Sequence, residues 1–252
     1  MSYKFYKILL FIATAFMLYC NYLTGSGNYH NSSIGAVSAQ YQTLLTPPGY
    51  TFGIWSLIFL FQIGFSVYLL VKPTLPLDKI KKVMAVLIVH HVANATWGFL
   101  FIDGYTTVAL LSIVTQVLCL LYAADRLLSE SNESFTYAKY LAWAPALNLG
   151  WVTLATVLNA AIVCLKSGFE FFKTLEQPIA IVMAVVATAI VFQIFYHRVK
   201  TIIVILPALW AFGTRAAESE IPVAIQITLL LCALALVAGY FWKVNKDKLA
   251  TT

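Results

Sequence analysis

Apolar residues run for about twenty positions at a time along this chain, near 5–23, 50–71, 83–102, 105–128, 136–165, 178–197, 200–217 and 221–242. Each run approaches the ~20 residues that a helix needs to cross a bilayer. In hydrocarbon the backbone has only itself to bond to, so such a run folds as a helix. The pattern predicts an all-α integral membrane protein of about eight transmembrane helices. The fifth run is long enough to tilt or to project past the bilayer. The seventh is short and contains Pro207.

Three of the runs carry polar and aromatic residues on one face. Thr46-Pro47-Pro48-Gly49 ends an uncharged loop and opens the second helix. Proline is tolerated in a first turn, where its missing N–H would have no partner anyway. Trp55, Phe59, Gln62 and Ser66 then fall at i, i+4, i+7 and i+11. In the third helix His90, Asn94, Trp97 and Phe101 repeat that spacing. In the fifth, Asn148, Trp151, Ala155 and Asn159 lie within about a turn of one face.

An unpaired amide costs several kcal/mol in hydrocarbon, so these faces look inward. Tryptophan supplies a large flat apolar surface with one N–H donor. Such walls suit a planar or steroid-like apolar ligand oriented by a few polar groups. A plainer reading stands beside this one. Amides inside bundles often bond only to neighbouring helices, and for each of Gln62, Asn94 and Asn159 both readings are open. Trp143 and Trp242 lie near predicted ends and read as interfacial belt residues. A mid-membrane His90 could ligate a haem iron, shuttle a proton, or be a satisfied buried imidazole. His91 shares its face with Ala95 and Gly98, a small-residue face suited to close helix packing.

Composition sharpens the class. The chain is 61% hydrophobic and 10% charged, against roughly 25% charged in a soluble domain. A net charge of +6 suggests nucleic acid only until the basic residues are placed. With a cytoplasmic N-terminus, thirteen fall in inside segments and three outside: Lys166, Lys173 and Arg215. That is the positive-inside pattern, so no nucleic-acid partner is expected. An even helix count puts both termini in the cytoplasm, and the expected location is the cell (inner) membrane. Lys4 and Lys7 precede the first apolar run as in a secretory signal. The residues before Cys20 lack a small-residue cleavage pattern, which favours an uncleaved first helix. Cys20, Cys119, Cys164 and Cys232 are far apart, each in or beside an apolar run, and read as small apolar residues.

Every acidic residue falls at a predicted end or in a loop, including Glu130, Glu133 and Glu170. This argues against a proton-pumping carboxylate relay. No paired-carboxylate, P-loop, zincin or nucleophile-elbow signature occurs. The uncharged loop from about Thr24 to Gly49 could be a lid over the helix ends or a plain linker. Within it Asn31-Ser32-Ser33 fits the glycosylation pattern. A second loop at 166–177 divides the chain into 1–165 and 178–252.

Pro47-Pro48-Gly49-Tyr50-Thr51-Phe52-Gly53-Ile54-Trp55 resembles the signature that opens the second helix of the translocator protein / tryptophan-rich sensory protein family (TspO/MBR). Asn94-Ala95-Thr96-Trp97 with Phe101 is similar to that family's third-helix pattern. Trp151-Val152-Thr153-Leu154-Ala155-Thr156-Val157-Leu158-Asn159 is similar to its fifth-helix motif. The resemblance covers about residues 1–165. It implies a five-helix bundle whose cavity binds porphyrins and, in some members, cholesterol or synthetic ligands. By position, Trp55, Asn94, Trp97, Trp151, Ala155 and Asn159 would line or brace the cavity, and Tyr105 stands where some members have another cavity tryptophan.

The chain also departs from that family's pattern. Phe52 to Trp55 is one residue shorter than in some relatives. Pro145 to Trp151 is longer and carries Asn148, and the helix-one loop lacks the usual charges and tryptophan. The last three helices have no five-helix counterpart. They would add a partner surface or replace a dimer contact, so a homodimer stays open. Their notable residues, Gln193, Trp210, Arg215 and Gln226, can all be structural.

The expected function is that of a membrane receptor, sensor or transporter for a hydrophobic small molecule, tetrapyrrole or sterol-like. No cofactor is required, and porphyrin or haem enters as ligand. The expected ligand contacts are Trp55, Phe59, Gln62, His90, Asn94, Trp97, Tyr105, Asn148, Trp151, Ala155 and Asn159. The alternatives are an enzyme acting on a tetrapyrrole or lipid, and a structural membrane subunit.

Overall fold

A computed structural model describes residues 3–72, 77–129, 138–169 and 171–249. Its α-helices are α1 (Tyr3–Gly25), α2 (Ile34–Gln40), α3 (Ile54–Val71), α4 (Leu77–Ile102), α5 (Thr106–Ser129), α6 (Ala138–Leu141), α7 (Trp143–Lys166), α8 (Phe171–Thr174), α9 (Glu176–His197), α10 (Leu206–Ala216) and α11 (Val223–Leu249). Among the described residues, seven segments are long and apolar enough to cross a membrane, α6 and α7 counting as one. The protein is an all-α, multi-pass membrane protein. Glu130, Glu133 and Glu170 lie outside the described residues, as do 136–137 at the expected start of the fifth span.

The seventh expected span, 200–217, is a 3₁₀ turn (Ile202–Val204) followed by the 11-residue α10. Alone α10 rises only about 16 Å. The contacts at its two ends still carry the chain from one end of the bundle to the other. At one end Arg198 grips Asp125 with two parallel bonds of 3.1 and 3.2 Å, and Lys246 reaches the Tyr196 hydroxyl. At that same end Lys7 donates to the Lys72 carbonyl. At the opposite end Arg215 and Thr214 meet the loop that follows α2.

Five helices close a ring: α3 packs on α1, α1 on α4, α4 on α5, α5 on α7, and α7 on α3. Outside the ring α9 and α10 lie against α7, and α11 against α9 and α10. One continuous core runs through both groups. The bundle is inverted relative to a soluble protein. Large apolar side chains such as Phe16, Leu60, Leu111, Leu118 and Leu234 point outward, toward where lipid would lie. Polar side chains such as Thr14, His90, Asn94, Gln116 and Asn148 are buried inside. Trp242 stacks on Tyr196 at 5.5 Å beneath Lys246, an arrangement fitting a belt residue.

Local sequence explains where the helices stop. α4 and α7 each end on a glycine in the left-handed region, Gly104 at φ +79 and Gly168 at φ +78. In both, the next N–H reaches back five residues, Tyr105 to Leu100 and Phe169 to Cys164, which satisfies otherwise orphan carbonyls. Lys166 then donates to the Gly104 carbonyl and joins the two turns. The expected fifth helix breaks at Ala142. Three residues on, Pro145 has no N–H to give the Leu141 carbonyl. The second helix begins as a 3₁₀ turn, Gly49–Gly53, before α3.

The long loop holds structure of its own. Ser33 caps α2 by accepting from the Ala36 N–H at 3.1 Å. Val37 is buried, and Ile34, Tyr41, Leu44 and Leu45 pack on the core. The segment is therefore a roof and not a free linker. Beside it Tyr29 donates to Asp103 at 2.9 Å. That hydrogen bond, with partial desolvation and the carboxylate's charge, raises the phenol above its ordinary range.

α7 crosses the 202–207 segment at Gly150. A β-carbon there would overlap the Val204 carbonyl and crowd the Pro207 ring, whereas one on Gly213 would meet open space. Gly150→Ala should cost about 2 kcal/mol through overpacking, roughly 4–8 °C in melting temperature. Gly213→Ala should leave it unchanged. Thermal unfolding of the two variants in detergent checks this.

Candidate functional site

The three motif faces diverge with depth. Toward the roof, Trp55 of α3, Trp97 and Phe101 of α4, and Trp151, Leu154, Ala155 and Asn159 of α7 line a cavity of about 90 Å³. Ala184 and Ala187 of α9, Phe212 and Arg215 of α10 and Leu229 of α11 form the rest of its wall. Ile34, Ser38, Leu45, Pro47 and Phe52 close it from the roof. A second space of about 390 Å³ lies under the roof beside α1 and shares Ile34, Ser38, Pro47, Phe52 and Trp55 with the first. Phe59 lines this second space and sits 5.2 Å from Trp55.

The aromatic walls are held edge to face. Trp151 meets Phe52 at 5.8 Å and 84°, and Trp55 at 6.1 Å and 80°. Trp97 stacks on Phe101 at 5.4 Å. The two buried indoles differ in one respect. Trp97 Nε1 donates to Asn159 Oδ1 at 3.2 Å, and Asn159 Nδ2 donates to the Ala155 carbonyl at 2.8 Å. Trp151 Nε1 is buried and has no hydrogen-bond partner among the described residues.

Arg215 and its neighbours fix the roof. Arg215 Nε donates to the Leu44 carbonyl at 2.9 Å. Trp210 Nε1 donates to the Thr51 carbonyl at 2.9 Å, and Thr51 Oγ1 to Thr214 Oγ1 at 2.9 Å. Tyr50 adds a bond to the Thr214 carbonyl at 3.3 Å. Four donors thus tie the start of the second span and its preceding loop to α10.

Nearer mid-membrane the stripes become helix-to-helix glue. Asn94 accepts from Asn21 at 2.7 Å and donates to Gln116 at 2.9 Å, linking α1, α4 and α5. His90 Nε2 meets Asn148 Nδ2 at 3.1 Å, joining α4 to α7. Thr14 donates its hydroxyl proton to the Leu10 carbonyl at 2.8 Å. Its oxygen therefore accepts from His91 Nε2, 3.1 Å away. Gly98 lies so close to Thr24 that a β-carbon would come 2.8 Å from the Thr24 hydroxyl. The face of His91, Ala95 and Gly98 is thus a close-packing face, as expected.

The TSPO-like protein family model matches residues 7–242. The chain belongs to this family. The match takes in the last three helices as well as the first five. No curated protein and no solved structure matches the chain.

Within this TSPO-like chain the expected contacts separate into two groups. Trp55, Trp97, Trp151, Ala155 and Asn159 meet at the cavity, and Phe59 at the adjoining space. Gln62, His90, Asn94 and Asn148 do not line either space. Gln62 instead borders a void of about 10 Å³ with His91 and Pro145. Tyr105 is corrected outright. It is 62% exposed, because the Gly104 turn places it at the start of α5, which contributes nothing to the wall. Phe52, noted only within the helix-two signature, Arg215, noted only as a residue that could be structural, and the alanines of α9 were not among the expected contacts. Ala180, Ala184 and Ala187 recur at i, i+4 and i+7, a small-residue stripe that would have pointed to close packing there.

Asn94→Ala should strand the Asn21 amide and the Gln116 oxygen and cost about 1–3 kcal/mol, a fall of roughly 2–12 °C in melting temperature. Tyr105→Phe should leave it unchanged. Circular dichroism melts of the purified variants give the comparison.

Proposed function

We propose that this TSPO-like membrane protein binds a hydrophobic small molecule, tetrapyrrole or sterol-like, in the aromatic cavity under the roof, as a receptor or carrier. One observation carries the reading: the buried Trp151 N–H, without a partner among the described residues, on a mostly apolar and aromatic wall. Buried donors are paired in the large majority of cases, and leaving one unpaired costs about 1–3 kcal/mol. An acceptor on a ligand would remove that cost.

Space supports a ligand that reaches across both chambers. Drug-sized sites run to roughly 300–1,000 Å³. The inner cavity, near 90 Å³, is below that range, and the adjoining space, near 390 Å³, is within it. A flat tetrapyrrole or a sterol would seat one edge against Trp151 and Trp97 and extend past Trp55 and Phe59. The same reading orients the protein by the positive-inside rule. Both termini lie in the cytoplasm, and the roofed cavity opens toward the outer side of the cell membrane.

Titration of protoporphyrin into the purified protein should give saturable tryptophan quenching with a shift of the Soret band. Trp151→Phe keeps the apolar ring and removes the donor, so the dissociation constant should rise about tenfold. Absence of saturable binding by any porphyrin or sterol would count against the proposal.

A further inference from the structure

Among the described residues, Arg215 is the one charged residue on the cavity wall. We propose that it anchors the head of the ligand, and that the cavity takes an amphipathic carboxylate. This rests on the binding function proposed above and names the ligand class.

The unused hydrogen-bonding capacity of the wall is unbalanced. Asn159 is engaged through both its oxygen and its nitrogen, and the Trp97 N–H is taken. What remains is the Trp151 N–H, the terminal nitrogens of Arg215, the Ser38 hydroxyl, and one N–H and one lone pair of Asn159. Arg215 uses Nε on the Leu44 carbonyl, and its two terminal nitrogens make no hydrogen bond to a described residue. The indole and the guanidinium only donate, whereas a hydroxyl and an amide can do either. Donors predominate, so the wall favours a ligand that brings acceptors.

Charge narrows the class further. No aspartate or glutamate lines the cavity. Glu176, Glu218 and Glu220 act on Arg215 through space, yet among the described residues none pairs with it as a salt bridge. Glu218 instead accepts from the Tyr50 hydroxyl at 3.4 Å. These carboxylates weaken any long-range pull on anions. Recognition must then be by direct contact, where a guanidinium fork offers a carboxylate two parallel N–H···O bonds. A cation held beside apolar walls is costly without such a partner. A cationic ligand finds no carboxylate on the wall, and a neutral one leaves the fork unused.

Two sources share this chemistry, a tetrapyrrole with its propionates and a long-chain fatty acid. The test titrates the full-length protein in detergent at neutral pH with protoporphyrin and its dimethyl ester, and with cis-parinaric acid and its methyl ester. Wild type, Arg215→Gln and Arg215→Lys are compared, with melting temperature as a check on folding. At least one acid should bind wild type about tenfold or more tighter than its ester. Arg215→Gln should abolish that preference, bringing acid and ester to the same affinity, while Arg215→Lys retains part of it. The pair that shows the preference identifies the source. Equal binding of acid and ester to wild type, or equal weakening of both in Arg215→Gln, overturns the carboxylate assignment while binding itself stands. Should Arg215→Gln fail to fold, the wild-type comparison decides by itself. If none of the four probes saturates, the binding function falls and the carboxylate assignment with it.

Discussion

Hydrocarbon gives a buried polar group nothing to bond to, and this bundle is built around that constraint. In water the interior would be held by burial of apolar surface. Between helices in lipid that force is absent, and close packing and polar contacts replace it. The ring of α1, α3, α4, α5 and α7 is accordingly laced by side-chain bonds: Asn21 to Asn94 to Gln116, Thr14 to His91, His90 to Asn148, and Trp97 to Asn159. The lacing is incomplete, since atoms of His90, His91, Gln116 and Asn148 also lack a partner among the described residues, and the surroundings of Gln62 and Trp151 differ. Gln62 borders a void of about 10 Å³, close to the smallest that holds one water. Trp151 borders a larger, mostly apolar space that continues beneath the roof. The first gap is of solvent size. The second is larger and lined mainly by aromatic and aliphatic side chains.

The helical spans and their inward faces were legible in the sequence, because both follow from periodicity alone. Depth was not. Trp55 and Gln62 share a stripe of α3, but seven residues separate them by about 10 Å along the axis. One meets the cavity and the other the packed interior. The same division splits His90 from Trp97 on α4, and Asn148 from Trp151 on α7. Periodicity gives the direction in which a side chain points and says nothing of what waits there. Tyr105 failed for a different reason. It was placed by resemblance, and the glycine turn before it sets it on the surface. Arg215 stood out in its own span only as a residue that could be structural, and nothing there placed it on the cavity. Its partner carbonyl, Leu44, is 171 residues away in sequence.

The last three helices are best understood through the wall they complete. The ring supplies three aromatic faces, and without α9 to α11 the side beyond Ala155 and Ile162 would lie open to lipid. Ala184 and Ala187 bring α9 close enough to seal it, and the bare Gly150 lets the 202–207 segment cross α7 at backbone distance. The same helices hold the roof. Trp210, Thr214 and Arg215 bond to Thr51 and Leu44, whereas α2 itself touches the ring mainly through apolar contacts with α1 and α4. Apolar contacts between surfaces slide more readily than hydrogen bonds between fixed groups, since dispersion has little directionality. The hydrogen bonds to α10 therefore make the segment holding Leu44 and Thr51 the more firmly fastened edge of the roof. Part of the wall and the fixed edge of its roof thus come from the same short helix.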